Sequence, residues 1–293
     1  MSHDIVVVGD VMTDIIVRPH GPLVPGSDRA ATIRQSPGGS GANQAAWLGF
    51  LGAKVAFAGR VGAGDVATQS DLLRRHGVAP HLAGDADLPT GLLVTLLAPD
   101  GERSFLTDRG ANTTLCRADL QHALLDGARL LHVSGYSLFS EGPRDAVRDY
   151  IAEAARRGLT VTADAGSAGF IAEVGASRFL DWTRGVEKLF ANADEAATLA
   201  GGDDPITRLA RLYRTVVVKR GAAGAVAASR GEYAEASADA IDATDTTGAG
   251  DAFLAGYLIA HLAGADLSGC LAAGVRHGTA AAARLGGRPP FLS

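Results

Sequence analysis

Short apolar runs that end at glycine or a polar residue alternate along this chain with longer stretches whose apolar positions recur at helical spacing. The run Ile5–Val8, closed by Gly9, reads as a strand buried on both faces, and Leu130–Val133, Leu159–Ala163 and Thr215–Val218 read the same way. Between Glu141 and Arg157, Val147, Tyr150, Ile151, Ala154 and Ala155 fall at i, i+3, i+4, i+7 and i+8. That spacing predicts one buried helix face, with Gly158 as the stop. Alternating strands and helices predict an α/β fold with a mostly parallel central sheet and flanking helices.

Two segments depart from this rhythm. Thr13–Gln35 and Thr90–Asp108 carry alternating and β-branched patterns without helices, the second with a turn expected at Pro99-Asp100-Gly101. Strands there cannot join a parallel sheet and should pair with one another. The expectation is a single domain over residues 1–293, with a small β-sheet lid formed by two inserted segments, about 13–36 and 88–110. Ordinary surface hairpins are the alternative.

Composition narrows the function classes. Hydrophobic residues at 47% and charged residues at 20% support a large core and exclude a disordered chain. A net charge of −5 without a lysine and arginine cluster argues against a nucleic-acid partner. Cys116 and Cys270 are too few for a disulfide framework. The first apolar run is too short for a signal-peptide core, and no stretch approaches the roughly 20 apolar residues of a membrane helix. A cytoplasmic protein with no membrane partner is expected.

The chemistry concentrates in Asp245-Thr246-Thr247-Gly248-Ala249-Gly250-Asp251. Phe253, Leu254, Tyr257, Leu258 and Leu262 follow at helical spacing, so the glycines sit at a helix amino terminus. Backbone N–H groups there lack intrahelical partners, carry the positive end of the helix dipole, and can cradle an anion. A carboxylate at Asp251 would repel a bound phosphate. It suits a base that takes the proton of a hydroxyl attacking a phosphoryl group. A first-turn carboxylate favoured by the dipole alone is the structural alternative. Gly62-Ala63-Gly64-Asp65 repeats the tetrapeptide without the upstream Asp-Thr-Thr, so the tetrapeptide by itself decides nothing.

A second segment, Gly38-Gly39-Ser40-Gly41-Ala42-Asn43-Gln44, leads into a helix containing Trp47 and Leu48. Its glycines open space for a ligand, and Asn43 both donates and accepts, as a polyhydroxylated ligand requires. There is no Walker A sequence, which excludes a P-loop kinase. No GxGxxG follows the first strand, which ends Gly9-Asp10-Val11, and this argues against a Rossmann oxidoreductase.

These two segments and the order of elements over essentially the whole chain resemble the PfkB, or ribokinase-like, carbohydrate kinases. The resemblance implies a three-layer α/β body, a small β lid, and transfer of the ATP γ-phosphoryl group to a substrate hydroxyl with Mg2+. By position it implies Asp251 as catalytic base, with Gly248, Ala249 and Gly250 as anion hole. Asp14, Gly38, Gly39 and Asn43 would bind substrate hydroxyls. Asn192 and Glu195 would order Mg2+, through water, while Lys219, Gly221, Gly224 and His277 would lie on the ATP side. Asp245 and Thr247 match a loop that holds a monovalent cation, K+, in many relatives. Lid strands pairing between two copies would give a homodimer. Without the resemblance, Asn192 and Glu195 read as a helix cap, Lys219 reads equally as a solvent-facing side chain, and His277 reads as structural.

Departures from the family pattern bear on the substrate. Ser40 stands where ribokinases carry a lysine, and His132-Val133-Ser134-Gly135-Tyr136-Ser137 lacks their ribose-binding Glu. Asp164-Ala165-Gly166-Ser167-Ala168 lacks the Asn and Arg found in kinases of 2-keto-3-deoxy sugars, whereas Gly110-Ala111-Asn112 looks like ribokinase. These differences count against ribose itself. An ATP:sugar phosphotransferase acting on a primary hydroxyl is expected. A nucleoside kinase for adenosine, another purine nucleoside or pseudouridine stays open, with Tyr136, Phe105 and Phe139 available to stack on a base. A non-catalytic ligand-binding regulator is the alternative from another class, and the intact Asp251, Asn192 and Glu195 speak against it.

Overall fold

The computed structural model describes residues 3–97, 103–202, 204–241, 245–284 and 286–292; the turn expected at Pro99-Asp100-Gly101 lies outside the described residues. The strands are β1 (Ile5–Val8), β2 (Met12–Pro19), β3 (Ala31–Gly38), β4 (Val55–Gly62), β5 (Val78–Asp85), β6 (Thr90–Leu97) and β7 (Arg103–Gly110). They continue with β8 (Leu130–Val133), β9 (Thr160–Asp164), β10 (Lys188–Asn192), β11 (Thr215–Lys219), β12 (Ala225–Ser229) and β13 (Glu232–Ala236). The main sheet has the order β13-β12-β11-β10-β9-β8-β1-β4-β5, and a second sheet has the order β3-β2-β6-β7.

From β11 across to β5 every neighbouring pair is parallel, and β12 and β13 add an antiparallel edge. The expected strand at 159–163 runs Thr160–Asp164, so a carboxylate closes β9 at its carboxyl end. The helices are α1 (Ser40–Phe50), α2 (Val66–Arg74), α3 (Glu141–Arg156), α4 (Ala168–Val174) and α5 (Ala176–Trp182). They continue with α6 (Ala193–Ala200), α7 (Pro205–Leu209), α8 (Ala249–Leu262) and α9 (Leu267–Ala282).

Two cores flank the main sheet, and β1 shows how one strand serves both. Val6 and Val8 pack with side chains of α3 to α7, whereas Ile5 and Val7 pack with those of α1, α8 and α9. Side chains alternate across a strand, so a continuous apolar run is what a strand covered on both faces requires. The result is three layers, helices on either side of a sheet.

The second sheet has a parallel pair, β2 with β6, at its centre and antiparallel strands outside. Two side chains root it in the body. Asn112 accepts from the Val11 N–H and donates to the Val11 carbonyl, both at 2.9 Å. Asp65 accepts from the Thr90 hydroxyl, which in turn accepts from the Gly62 N–H. The Gly62–Asp65 tetrapeptide therefore joins the end of β4 to the start of β6. Among the described residues no helix is long and apolar enough to cross a membrane.

The start of α1 rests on the end of β1. A Cβ on Gly41 would stand 2.5 Å from Gly9 Cα, closer than real Cβ atoms come. The N-cap, Gly39, has no side chain to offer the first turn. Asp10 does so instead, accepting from the Ser40 N–H at 3.3 Å and the Gly41 N–H at 3.1 Å. Gly41→Ala is expected to lower stability by about 1–3 kcal/mol through overpacking. At Gly64 a Cβ would meet nothing within 4 Å, so Gly64→Ala serves as the control. Urea unfolding of both variants checks this, and equal losses would remove the argument from the Gly9–Gly41 contact.

Candidate active site

The carboxyl ends of the parallel strands gather most of the polar side chains that the sequence singles out. Asn192 ends β10 and Lys219 ends β11, and the two are direct partners across the strands. The Lys219 Nζ lies 3.0 Å from where a Cβ on Gly250 would be, so the ammonium group rests against the first turn of α8. Gly248, the N-cap of α8, has φ 76°, and a Cβ there would stand 2.2 Å from the Gly287 carbonyl oxygen. Only glycine fits that position. The Ala249 N–H donates to the Thr246 carbonyl at 3.2 Å, whereas the Gly248 and Gly250 N–H groups make no hydrogen bond among the described residues. Two of the three expected anion-hole donors are thus open.

The loop before α8 is tied to the end of the chain. The Asp245 carboxylate accepts from the Thr247 N–H at 2.9 Å and the Gly286 N–H at 3.0 Å. The Asp245 N–H donates to the Ala282 carbonyl.

Asp251 sits in the first turn of α8, enclosed by protein but still reached by solvent. Ser40 Oγ donates to Asp251 Oδ1 at 3.2 Å and accepts from Gln44 Nε2 at 2.9 Å. Gln44 Nε2 also reaches Asp164 Oδ2 at 2.6 Å, and Gln44 Oε1 accepts from His132 Nε2 at 3.0 Å. A buried polar chain therefore runs from Asp251 through α1 to the centre of the sheet.

These carboxylates titrate differently because their surroundings differ. Burial pushes Asp251 up to about 7, with Lys219 and the Ser40 hydrogen bond pulling down and the charges of Asp164 and Asp10 pushing up. Burial also works against the charge on Asp164, yet His132, Gln44 and Lys219 hold its carboxyl below the usual range. Glu195 is raised by burial, partly offset by Lys219. Asn192 and Glu195 form a reciprocal cap: the Glu195 N–H donates to Asn192 Oδ1 at 2.8 Å, and Glu195 Oε2 accepts from the Asn192 N–H at 2.8 Å. The capping reading and a place beside Lys219 are both present.

The expected substrate ligands form a second group. Asp14 lies on β2 opposite Ser36 of β3, and its Oδ1 is buried without a hydrogen-bond partner among the described residues. Burial raises its carboxyl to about 6, with Arg288 pulling down and Asp10 pushing up. The Gly38 carbonyl accepts from Arg288 Nη2 at 3.0 Å and Asn43 Oδ1 accepts from Arg288 Nε at 3.1 Å. Sequence reasoning missed Arg288, since Gly286-Gly287-Arg288-Pro289-Pro290 reads only as a turn. It also missed Asp10, Gln44, His132 and Asp164 as site residues.

Other residues lie further from this chemistry. Gly221 opens an exposed single turn after β11, and Gly224 closes it. His277, on α9, packs against Gly256 of α8, where burial lowers its pKa. Tyr136 packs edge-on to Phe139 and Phe170, with the Arg109 guanidinium 5.1 Å from its ring centroid. Phe105 is not in this cluster; it is 61% exposed on β7. An open cavity of about 350 Å³, lined by Thr160, Lys188, Arg214 and His261 among others, lies at the amino ends of β9 and β10, away from all these groups.

The family described as "pfkB family carbohydrate kinase" matches residues 2–292. The ATP-dependent ribose-1-phosphate kinase of Halopiger xanaduensis is 31% identical over 290 residues, which is 96% of this chain and 92% of that protein. A fructokinase of Klebsiella pneumoniae is 30% identical over 278 residues, covering 88% of this chain and 84% of its own. The crystal structure of adenosine kinase from Sinorhizobium meliloti superposes with a TM-score of 0.89 at 25% identity, covering 99% of this chain and 96% of that one. With the match running from end to end and through both glycine-rich helix starts, the chain belongs to the pfkB family of carbohydrate kinases.

Proposed function

We propose that this protein transfers the γ-phosphoryl group of ATP to a primary hydroxyl of a small sugar or sugar derivative, with Asp251 as general base. One observation carries the reading. The Asp251 carboxylate stands where three elements meet: Ser40 from α1, Lys219 from β11, and the open N–H groups of α8. In-line transfer needs the attacking hydroxyl within reach of a base and facing the phosphoryl group, and a base beside the donors that receive phosphoryl charge permits both.

In this reading Asp14, Gly38, Gly39 and Asn43 orient the acceptor. Asp251 takes the hydroxyl proton as the new O–P bond forms and the bond to ADP breaks. The Gly248 and Gly250 N–H groups and Lys219 take up the charge on the transferring oxygens. Magnesium would neutralise phosphate charge. Both Glu195 oxygens are already engaged by Asn192, which suits holding the ion through water rather than by direct ligation. A monovalent cation such as K+ would belong to the Asp245 and Thr247 loop, and Gly221, Gly224 and His277 to the nucleotide side. Closure of the second sheet as a lid would exclude water as a competing acceptor. A nucleoside acceptor is the second reading, favoured by the aromatic cluster around Tyr136.

Asp251→Asn should lower turnover by about 10²–10⁴-fold while ATP affinity, measured by equilibrium binding, stays near that of the parent. Near-parental turnover would remove Asp251 from the mechanism. Because the carboxylate must be ionised to act, kcat/KM should fall as pH drops through about 7. Ser40→Ala removes a hydrogen bond that favours the ionised form, so this acid limb should move to higher pH. A limb that stays in place would uncouple Ser40 from the base. Lys219→Ala should raise the KM for ATP, and an unchanged value would put this lysine outside the nucleotide site.

A further inference from the structure

Arg288 is held in a fixed pose that leaves one edge of its guanidinium unused. Gly287 before it is pinned through its carbonyl, which accepts from Trp47 Nε1 at 3.0 Å, and Pro289 and Pro290 follow it. Nε donates to Asn43 and Nη2 to the Gly38 carbonyl, both neutral acceptors. Nη1 is buried and has no hydrogen-bond partner among the described residues. Asp14 and Asp251 act on Arg288 only through their fields, and no carboxylate stands within ion-pair distance of it among the described residues. Burial pulls its pKa down to about 10, as expected of a guanidinium short of counter-charge.

We propose that Arg288 binds an anionic substituent of the acceptor, so that the preferred acceptor is a sugar bearing a phosphate or carboxylate rather than a neutral one. A buried cation without a paired anion is costly, and a neutral hydroxyl would satisfy the N–H while leaving the charge offset only by the fields of Asp14 and Asp251. An oxyanion does both, and the planar fork of a guanidinium matches carboxylate and phosphate oxygens. Asp14 Oδ1, also buried and unpartnered, supplies the complementary acceptor for a hydroxyl of the same ligand. The two unpartnered groups, one donor and one acceptor, thus describe a ligand carrying both an anion and hydroxyls. The inference rests on the kinase reading above for the identity of this cleft as the acceptor site.

Titration calorimetry with a non-hydrolysable ATP analogue present tests the proposal on matched pairs: ribose and ribose 1-phosphate, fructose and fructose 6-phosphate, glucose and gluconate. The anionic member of at least one pair should bind about tenfold or more tightly than its neutral counterpart, and R288Q should cut that advantage roughly 10–100-fold. R288K keeps the charge but loses the fork; it should retain part of the advantage, giving a readout if R288Q unfolds. Preference within a phosphate pair assigns the site to phosphate, and preference for gluconate assigns it to a carboxylate. Neutral members binding as well or better in every pair, or an advantage undiminished in both variants, would overturn the proposal. ATP consumption with the same pairs tests the kinase reading separately. Arg288-dependent binding without turnover would sink that reading and uphold the anion contact.

Discussion

Backbone touches backbone where the start of α1 meets the end of β1, at Gly41 and Gly9, and the layout of the cleft follows from that contact. A helix seated so closely needs its first turn satisfied from outside. Asp10, the second residue after β1, does this by accepting from two of its N–H groups. With α1 fixed, Ser40, Asn43 and Gln44 fall at i, i+3 and i+4 and share a face. Ser40 reaches Asp251, Asn43 reaches Arg288, and Gln44 reaches Asp164. One helix start therefore sets the position of the proposed base, of the proposed anion contact, and of the polar chain into the sheet.

The carboxylates around this cleft are separated by what each is bonded to. Asp10 accepts from two N–H groups of a helix amino terminus, and Asp164 is held by an amide, a histidine and the field of Lys219. Glu195 is occupied by Asn192. Asp251 has one hydroxyl donor and a lysine beside the same turn, while two neighbouring carboxylates oppose its charge. An acid with strong hydrogen-bonding partners is a poor base, because those partners favour its ionised form. Weak support separates Asp251 from Asp10, Asp164 and Glu195, and it shares this with Asp14, whose Oδ1 has no partner among the described residues.

Much of this was legible in the sequence, and the parts that were not share a cause. Ile5–Val8 and Leu130–Val133 stood out because strands covered on both faces are apolar throughout. The edge strands β12 and β13 did not, since Ala-Val-Ala-Ala-Ser and Glu-Tyr-Ala-Glu-Ala show little pattern. The glycine-rich helix starts announced themselves by composition. The partners Asp10, Gln44, His132 and Asp164 depend on contacts between different strands and helices, which no local spacing encodes. Arg288 is the extreme case, bonded to residues near the opposite end of the chain. The two Gly-Ala-Gly-Asp copies are identical as tetrapeptides and were told apart only by the Asp-Thr-Thr before the second and by the family resemblance: one opens α8, while the other ties β4 to β6.

Asn112 grips the Val11 N–H and carbonyl together, just before β2 leaves the body for the second sheet. Two bonds at one residue fix both the place and the direction in which the chain leaves the body, and the Asp65–Thr90–Gly62 contact does the same for β6. Asp14 stands three residues beyond the anchored Val11, so where its carboxylate lies is decided by an asparagine about a hundred residues away in the chain.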